Sequence, residues 1–570
     1  MKSFLKRRKL AIIIGLVAVA SVSCYSFVDN YFEISKNLDI FSSVYREVNI
    51  YYVDSVEPGK LMKKGIDAML ETLDPYTNYI PESEIEDYRF MTTGQYGGIG
   101  ALIRQSGDYV AISEPYEGYP AQKTDLRAGD EILEINGKSM KGKKTDEISH
   151  ILKGTPKTDV KLLIRRPGEK NSIQKIVMRE EIKVKSVPYY GMINNDIGCI
   201  RLMGFTENAG KEVREALIQL KQKNNLKGVV FDLRYNPGGL LNEAVNVANV
   251  FVDKGQDIVS TKGKIQENNK VYKAINNAID TNIPVAILTN SGSASASEIV
   301  SGSLQDLDRA VIIGQRTFGK GLVQTTRPLS YNTQLKITTA KYYVPSGRCI
   351  QALDYAHRNE DGSVGKIPDS LMKEFKTRAG RKVYDGGGVL PDIALEAKKL
   401  NNITASLISK NIIFDYATHY RNQHSSIIAA KDFKISDQDW TDFLSFIADK
   451  EYDYTTKSEK SLDELKKNSE DEKYFEGLKT EYDALKNKLS HNKREDVTKN
   501  REEICEILQQ EIASRYYYQV GKIEASFSCD QEIKKAIEVL ANATLYSSIL
   551  DGTYKASAHA EQEGPEEIKK

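Results

Sequence analysis

Of the 15 prolines in this 570-residue chain, only Pro565 lies beyond residue 400, and the 39 glycines divide 35 to 4 across the same point. Both residues interrupt helices and make turns, so the first 400 residues must form a turn-rich fold while the last third has almost nothing to break a helix. A chain this long exceeds the common domain size of roughly 100–200 residues several times over, so several domains are expected. With 40% hydrophobic and 28% charged residues it is ordinary globular material, neither disordered nor a multi-span membrane protein. Its 80 basic and 79 acidic side chains leave a net charge of +1, which removes any whole-chain argument for nucleic-acid binding. Cysteines at 24, 199, 349, 505 and 529 form no CxxC pair, which disfavours zinc ribbons, thioredoxin chemistry and a dense disulfide framework. No cofactor or metal site is expected.

The amino terminus carries Lys2, Lys6, Arg7, Arg8 and Lys9 with no acid, followed by an apolar run from Leu10 to Val22. That run is short for a bilayer span of roughly 20 residues, so residues 1–24 read as a cleaved secretory signal. Two alternatives stay open. Ser-Val-Ser-Cys ending at Cys24 is a poor lipoprotein signal, because Ser21 stands where an aliphatic residue is usual, and an uncleaved anchor would have to continue through Tyr25, Phe27 and Val28. The expected location is outside the cytoplasm, which in a two-membrane bacterium is the periplasm, with tethering to the inner membrane as the variant form.

Residues 25–83 show apolar positions at helical spacing (Phe41, Val44, Tyr45, Val48; Leu61, Met62, Ile66, Met69, Leu70, Leu73) and close on the turn-forming LDPYTNYIP. Residues 84–182 change to short β-rich runs at 99–103, 109–113, 130–137, 159–166 and 172–178, with one helix over 145–152. Within this segment YGGIGA at 96–101 and LRAGDEILEING at 126–137 resemble a PDZ domain, in which Gly98, Ile99 and Gly100 would offer backbone N–H groups to a peptide's terminal carboxylate. Across 183–399 buried apolar strands alternate with glycine-rich turns and helices, which predicts βα units on a mostly parallel sheet. The fold class is therefore multidomain α/β. Residues 400–570 read as helix, with stripes at Phe475, Leu478, Tyr482, Leu485, Leu489 and at Ile504, Leu508, Ile512, Tyr516. Packing on one another or on the core is the plain reading; an adaptor-binding or homo-oligomer face is the alternative.

Ligands of such sheets sit beyond the carboxyl ends of the strands, where NPGG, SGSASAS and GQRTFGKG occur. Ser295 follows the strand IPVAILT and opens a helix, so its hydroxyl lies at the sheet edge and the N–H of Ala296 can stabilise an oxyanion. Simple helix capping is the competing role, shared among Ser293, Ser295 and Ser297. Gly238 and Gly239 would add backbone donors. None of the six histidines falls in these segments, which leaves Lys320 as the base if its setting keeps it neutral. Were 321–327 a strand, Gln324 would share the face of Lys320 and orient its amine. GQRTFGKG matches a phosphate-binding loop, but Gly321 replaces the magnesium-ligating hydroxyl and LVQTTRPL reads as strand, so nucleotide binding is excluded.

With export signal, PDZ-like module, LRYNPGG, SGSASASE and TFGKGLVQ in this order, residues 40–395 resemble the carboxy-terminal processing peptidases, or tail-specific proteases. The interval of 25 residues from Ser295 to Lys320 and the glutamine four residues later coincide with the family pattern. The resemblance implies a core related to the Clp protease and crotonase fold, with Ser295 as nucleophile, Lys320 as general base and Gln324 orienting it. It places the oxyanion hole at Ala296 with Gly238 or Gly239, and matches Asp306 to a position important in some members, with a structural role as the alternative. The implied function is an exported serine endopeptidase that binds apolar C-terminal tails of protein substrates through its PDZ domain. A catalytically silent peptide-binding scaffold is the second reading; a crotonase-like acyl-CoA enzyme would leave the export signal and PDZ module without purpose. Thr124-Asp125-Leu126 departs from the usual Ala-Gly-Leu, and the tail beyond 400 lies outside the resemblance. That tail holds 24 basic and 32 acidic residues, an acidic balance that the basic amino terminus hides in the total.

Overall fold

The computed structural model describes residues 31–554 apart from 224, 360 and 490–492. The basic run, the apolar run and Cys24 lie outside the described residues. The chain divides into two units, one holding residues up to Pro81 with Thr326–Ile337, the other holding Glu82–Thr325 and Thr338 onward.

In the first unit residues 31–51 are helical, and α1 (Pro58–Glu71) starts with proline at its first turn, where a missing N–H costs nothing. The Tyr45 hydroxyl donates to Pro58 O at 2.9 Å. LDPYTNYIP is a turn because Asp74 accepts the N–H groups of Tyr76 and Thr77 at 2.8 and 2.9 Å. Strand β1 (Asn78–Ile80) follows and pairs antiparallel with residues 334–336.

The second unit begins with a β-rich module: β2 (Gln95–Gly98), β3 (Ala101–Ser106), β4 (Tyr109–Pro115), β5 (Glu131–Ile135), α2 (Thr145–Leu152), β6 (Asp159–Arg165), β7 (Ile173–Met178) and β8 (Glu180–Lys183). The main sheet runs β3-β4-β5-β6-β7, all antiparallel, with β3 at an edge, while β2 pairs with β8. Alternation sends Val160, Leu162 and Ile164 inward against Val110, Ile112, Ile132, Ile148 and Leu152, so this core closes on itself.

A six-stranded sheet follows, built from β9 (Tyr189–Met192), β10 (Ile197–Arg201), β11 (Gly228–Asp232), β12 (Val285–Thr289), β13 (Val311–Gly314) and, after the hairpin β14 (Leu322–Pro328) and β15 (Gln334–Tyr343), β16 (Ile393–Ala394). From β10 to β16 all pairs are parallel, and β9 is antiparallel at one edge. One face packs against α3 (Ala209–Lys223), α4 (Leu241–Ala248) and α5 (Ala296–Asp306). Every residue of α5 is buried.

The tail is helical as expected, including α6 (Ile412–Gln423), α7 (Lys457–Asp471), α8 (Phe475–Leu489) and α9 (Arg501–Ser526). Ile504, Leu508 and Ile512 join Tyr416, Trp440 and Phe443 in one cluster, whereas Phe475, Leu478, Tyr482 and Leu485 face Leu462 and Leu465 of α7. Helix α9 is broken at Tyr517–Tyr518, where the backbone leaves helical geometry. Two last helices, α10 (Gln531–Ala541) and α11 (Ala543–Leu550), turn back to the sheet. Ile533, Ala536, Val539, Leu540 and Ile549 cover Val230, Ala286, Leu288, Val311 and Ile313 on its second face. The composition break near residue 400 is thus not a break in packing.

Candidate active site

Three turns leave the carboxyl ends of neighbouring parallel strands β11, β12 and β13 and are tied to one another. In the first, Asn236 Oδ1 accepts the N–H of Gly238 at 2.9 Å and its Nδ2 donates to Leu202 O at 2.9 Å. Gly238 has φ of +101°, and a Cβ there would lie 2.9 Å from both Ala296 N and Ser295 Cβ. Only glycine lets this turn approach the next so closely. Because the Gly238 N–H is already bonded to Asn236, Gly239 rather than Gly238 is the donor left open; neither Gly239 nor Ala296 uses its N–H in a hydrogen bond among the described residues. For Ala296 this is the ordinary state of a first-turn helix residue.

The second turn separates the three serines. Ser293 Oγ donates to Leu233 O and Ser297 Oγ to Asn236 O, both at 2.8 Å, and both side chains are buried. Ser295 is half-buried, and its side chain makes no capping bond to α5. It sits at φ 54°, ψ −110°, a conformation that costs a non-glycine residue on the order of 1–3 kcal/mol and persists only where the surroundings impose it. Those surroundings are the buried Tyr342, whose hydroxyl donates to Ser295 O at 3.1 Å, and Glu298, which takes the Ser295 N–H at 2.8 Å.

Glu298 also receives the third turn. Its Oε2 accepts the N–H of Lys320 at 2.8 Å, and its Oε1 accepts the N–H of Gly319 at 2.7 Å and the Thr317 hydroxyl at 2.5 Å. One oxygen therefore bonds the backbones of both Ser295 and Lys320, so these backbones approach to within twice a hydrogen-bond length. The Phe318 N–H adds a bond to Ser293 O at 3.0 Å. Glu298 is wholly buried, and burial pushes its carboxyl up to about 7 against the pull of these donors. After Lys320 the chain enters β14, not a helix, unlike a phosphate-binding loop. Gln324 lies in that strand, and its Nε2 donates to Thr338 Oγ1 at 3.1 Å, which leaves its carbonyl oxygen as acceptor.

Asp306 stands at the other end of α5, about 16 Å from Ser295 at 1.5 Å per residue. Its carboxylate accepts from Arg348 at 2.8 Å and from the Ser346 N–H at 2.9 Å, and both charged side chains are buried. The two form a buried ion pair away from the three turns. The histidines among the described residues lie elsewhere: His150 in α2, His357 beside Asp354, His419 in α6 and His424 after it.

In the β-rich module, the loop between β2 and β3 presents the N–H groups of Ile99 and Gly100, which bond nothing among the described residues, while Ile99 O and Gly100 O accept from Ala121 and Tyr116. Gly98 ends β2, paired with Glu180. The loop opens at the free edge of β3 beside α2. Asp125, where glycine is usual, has φ of +56°. It compensates by accepting from Arg127 at 2.7 Å and Arg166 at 3.0 Å. Partial burial opposes its charge, yet these arginines hold its carboxyl down at about 2.

Sequence reasoning missed Glu298, Tyr342 and Arg348. Only Glu298 left a signal, the Ser-x-x-Glu spacing at a helix start, which marks a carboxylate reaching back to the backbone N–H of the capping residue.

Three stretches of the chain match known families. Residues 196–356 match Peptidase family S41, residues 112–166 a PDZ domain, and residues 403–540 the probable PDZ-protease C-terminal helical domain. The carboxy-terminal-processing protease of Bartonella bacilliformis is 39% identical over 321 residues, 56% of this chain and 73% of that protein. A probable CtpA-like serine protease of Staphylococcus aureus is 37% identical over 357 residues, 60% of this chain and 70% of that one. A solved photosystem II D1 C-terminal processing protease is 29% identical over 62% of this chain and 92% of its own, with a TM-score of 0.34. The chain therefore belongs to peptidase family S41, the carboxy-terminal-processing proteases, as a serine-type protease with a PDZ domain and a helical C-terminal domain.

Proposed function

We propose that the protein is an exported endopeptidase that captures the apolar C-terminal tail of a protein substrate on its PDZ domain and cleaves through an acyl-enzyme on Ser295. The carrying observation is the division of labour among the three serines: Ser293 and Ser297 are tied to backbone carbonyls, and Ser295 alone is accessible, held in a strained conformation beside open N–H groups. Neutral Lys320 takes the Ser295 proton as the hydroxyl attacks the peptide carbonyl, and returns it to the leaving amine. The N–H groups of Gly239 and Ala296 receive the oxyanion. Gln324, fixed through its nitrogen, turns its carbonyl oxygen to the Lys320 amine. Water then hydrolyses the ester by the same route. In the PDZ domain the peptide adds as a strand to the β3 edge, with its carboxylate on Ile99 and Gly100. Residues 1–24 serve as the export signal.

Ser295→Ala and Lys320→Ala should each abolish cleavage of an unstructured protein with an apolar C-terminus while leaving the thermal melt unchanged. Undiminished hydrolysis by either purified variant breaks the dyad. Amidation of the substrate C-terminus should weaken binding at least tenfold, and unchanged binding removes the PDZ role.

A further inference from the structure

Glu298 takes no part at the scissile bond in that scheme, yet its side chain bonds both halves of the dyad's backbone. We infer that Glu298 is a positioning residue whose ionised carboxylate fixes the Ser295 turn against the Lys320 segment. The inference rests on the Ser-Lys reading above and adds to it a condition on the protonation state of the enzyme.

The geometry makes the carboxylate form specific. Four donors fill its two oxygens: the N–H of Ser295 and of Lys320 on Oε2, the N–H of Gly319 and the hydroxyl of Thr317 on Oε1. Each is a donor directed at the carboxylate, so a proton on either oxygen would meet another proton, and one of the four bonds must open. Three of the four cannot turn away, because they are backbone N–H groups set by the strained Ser295 and by a loop whose glycine at 319 lies close against Ala352. Thr317 is the fourth, and its oxygen also accepts the Val389 N–H at 2.7 Å, which leaves its own hydrogen for Glu298. Other titratable or charged groups around α5 are Tyr342, whose hydroxyl is bonded to Ser295 O, Lys320 and Arg316 on the third turn, Glu243 of α4, bonded to Gly210 N, and, at the far end of the helix, the Asp306–Arg348 pair with Arg381 and Asp392, which bond Gln305 and each other. Protonation of Glu298 therefore opens one bond of this set and turns the acceptor shared by Ser295 and Lys320 into a neutral, weaker one. Burial raises this carboxyl to about 7, so the carboxylate that holds the four donors is present above that pH and lost below it.

The test is the pH dependence of kcat and KM for the full chain on an unstructured protein with an apolar C-terminus. Wild type should show an acidic limb in kcat. Thr317→Val deletes a hydrogen bond that favours the charged form, so the limb should move to higher pH by about one unit, whatever the plateau rate. Thr317→Ser keeps the hydroxyl and should return the limb to its wild-type position. Glu298→Gln places an amide NH2 among four donors and should lower kcat by about 100-fold or more with KM within a few-fold of wild type. If that variant does not fold, the threonine pair decides. A Thr317→Val profile that is merely scaled down, with its limb unmoved, overturns the inference, as does wild-type kcat in Glu298→Gln. Full hydrolysis by Ser295→Ala is a separate result that breaks the dyad reading itself and leaves the limb shift to be judged on its own.

Discussion

The PDZ domain and the catalytic sheet close their cores in opposite ways. Every buried residue of the PDZ core lies between Ile99 and Val177, one unbroken stretch of chain. The catalytic sheet is covered on one face by helices from its own segment and on the other by Ile533, Ala536, Val539, Leu540 and Ile549, more than 130 residues beyond its last strand. The first is a module; the second is unfinished until the tail returns. What sequence composition divides at residue 400, packing joins. The tail also meets the PDZ domain, where Arg104 of β3 and Arg515 of α9 both stack on Phe414, and Gln122 donates to the Tyr518 hydroxyl at 2.6 Å.

The largest effect that tests this contrast is truncation after Lys399. It uncovers Ala286 together with Val230, Leu288, Val311 and Ile313, the last four each worth about 1.5–3 kcal/mol when buried, in total comparable with the about 5–15 kcal/mol net stability of a domain. The catalytic core should lose its cooperative melt, while residues 84–182 alone should keep one. A truncated core that melts as the full chain does would show the tail to be an appendage.

The next test separates apolar covering from ionic anchoring. Arg234, at the mouth of the first turn, is held by Asp232 at 2.8 Å, by Asp530 at 2.8 Å and by Glu532 at 3.3 Å, the last two from the start of α10. Glu532 also accepts from Gln315, the residue after β13, at 3.0 Å. The tail thus grips the roots of two candidate-site turns. Burial opposes the charge of Asp232, but Arg234 holds it below the usual carboxylate range. Arg234→Met should cost about 3–5 kcal/mol, read as a lowered urea midpoint, because three carboxylates are left facing one another in a largely buried site. A loss below about 1 kcal/mol would mean that apolar contacts alone seat the tail.

Much of this was readable from sequence wherever the cause is local. The helix expected at 145–152 is α2, and the strands expected at 109–113, 130–137, 159–166 and 172–178 fall within two residues of β4 to β7. Alternation and glycine turns act over a few residues, so they leave local marks. The strand expected at 99–103 begins instead at Ala101, because Ile99 and Gly100 form the loop. Ser295 and Lys320 could be singled out because turns after buried strands are where a parallel sheet puts its chemistry, and the structure does put both on such turns. Which of three serines is free was not readable: Leu233 O and Asn236 O, some 60 residues earlier, take the other two hydroxyls. Nor could the α10 stripe say that it covers the catalytic sheet, since amphipathicity reports a buried face and not its partner.

The smallest effect lies within the self-contained module and asks whether a local departure is compensated locally. Asp125 occupies a left-handed position that favours glycine, and its ion pairs with Arg127 and Arg166 are what can offset that strain. Its depressed carboxyl contributes stability that is fully present above the unfolded value of about 4 and is lost as pH falls through about 2. The side chain is half exposed, so solvent screening keeps the contribution below about 1 kcal/mol. Asp125→Asn keeps the tolerance for positive φ but removes the charge. It should therefore lower the melt of residues 84–182 slightly at pH 7, and the gap from wild type should close as the pH is taken down from about 4 to about 2. A gap that persists unchanged at the acidic end, where the carboxylate is protonated, would assign the module's compensation to something other than the charge of Asp125.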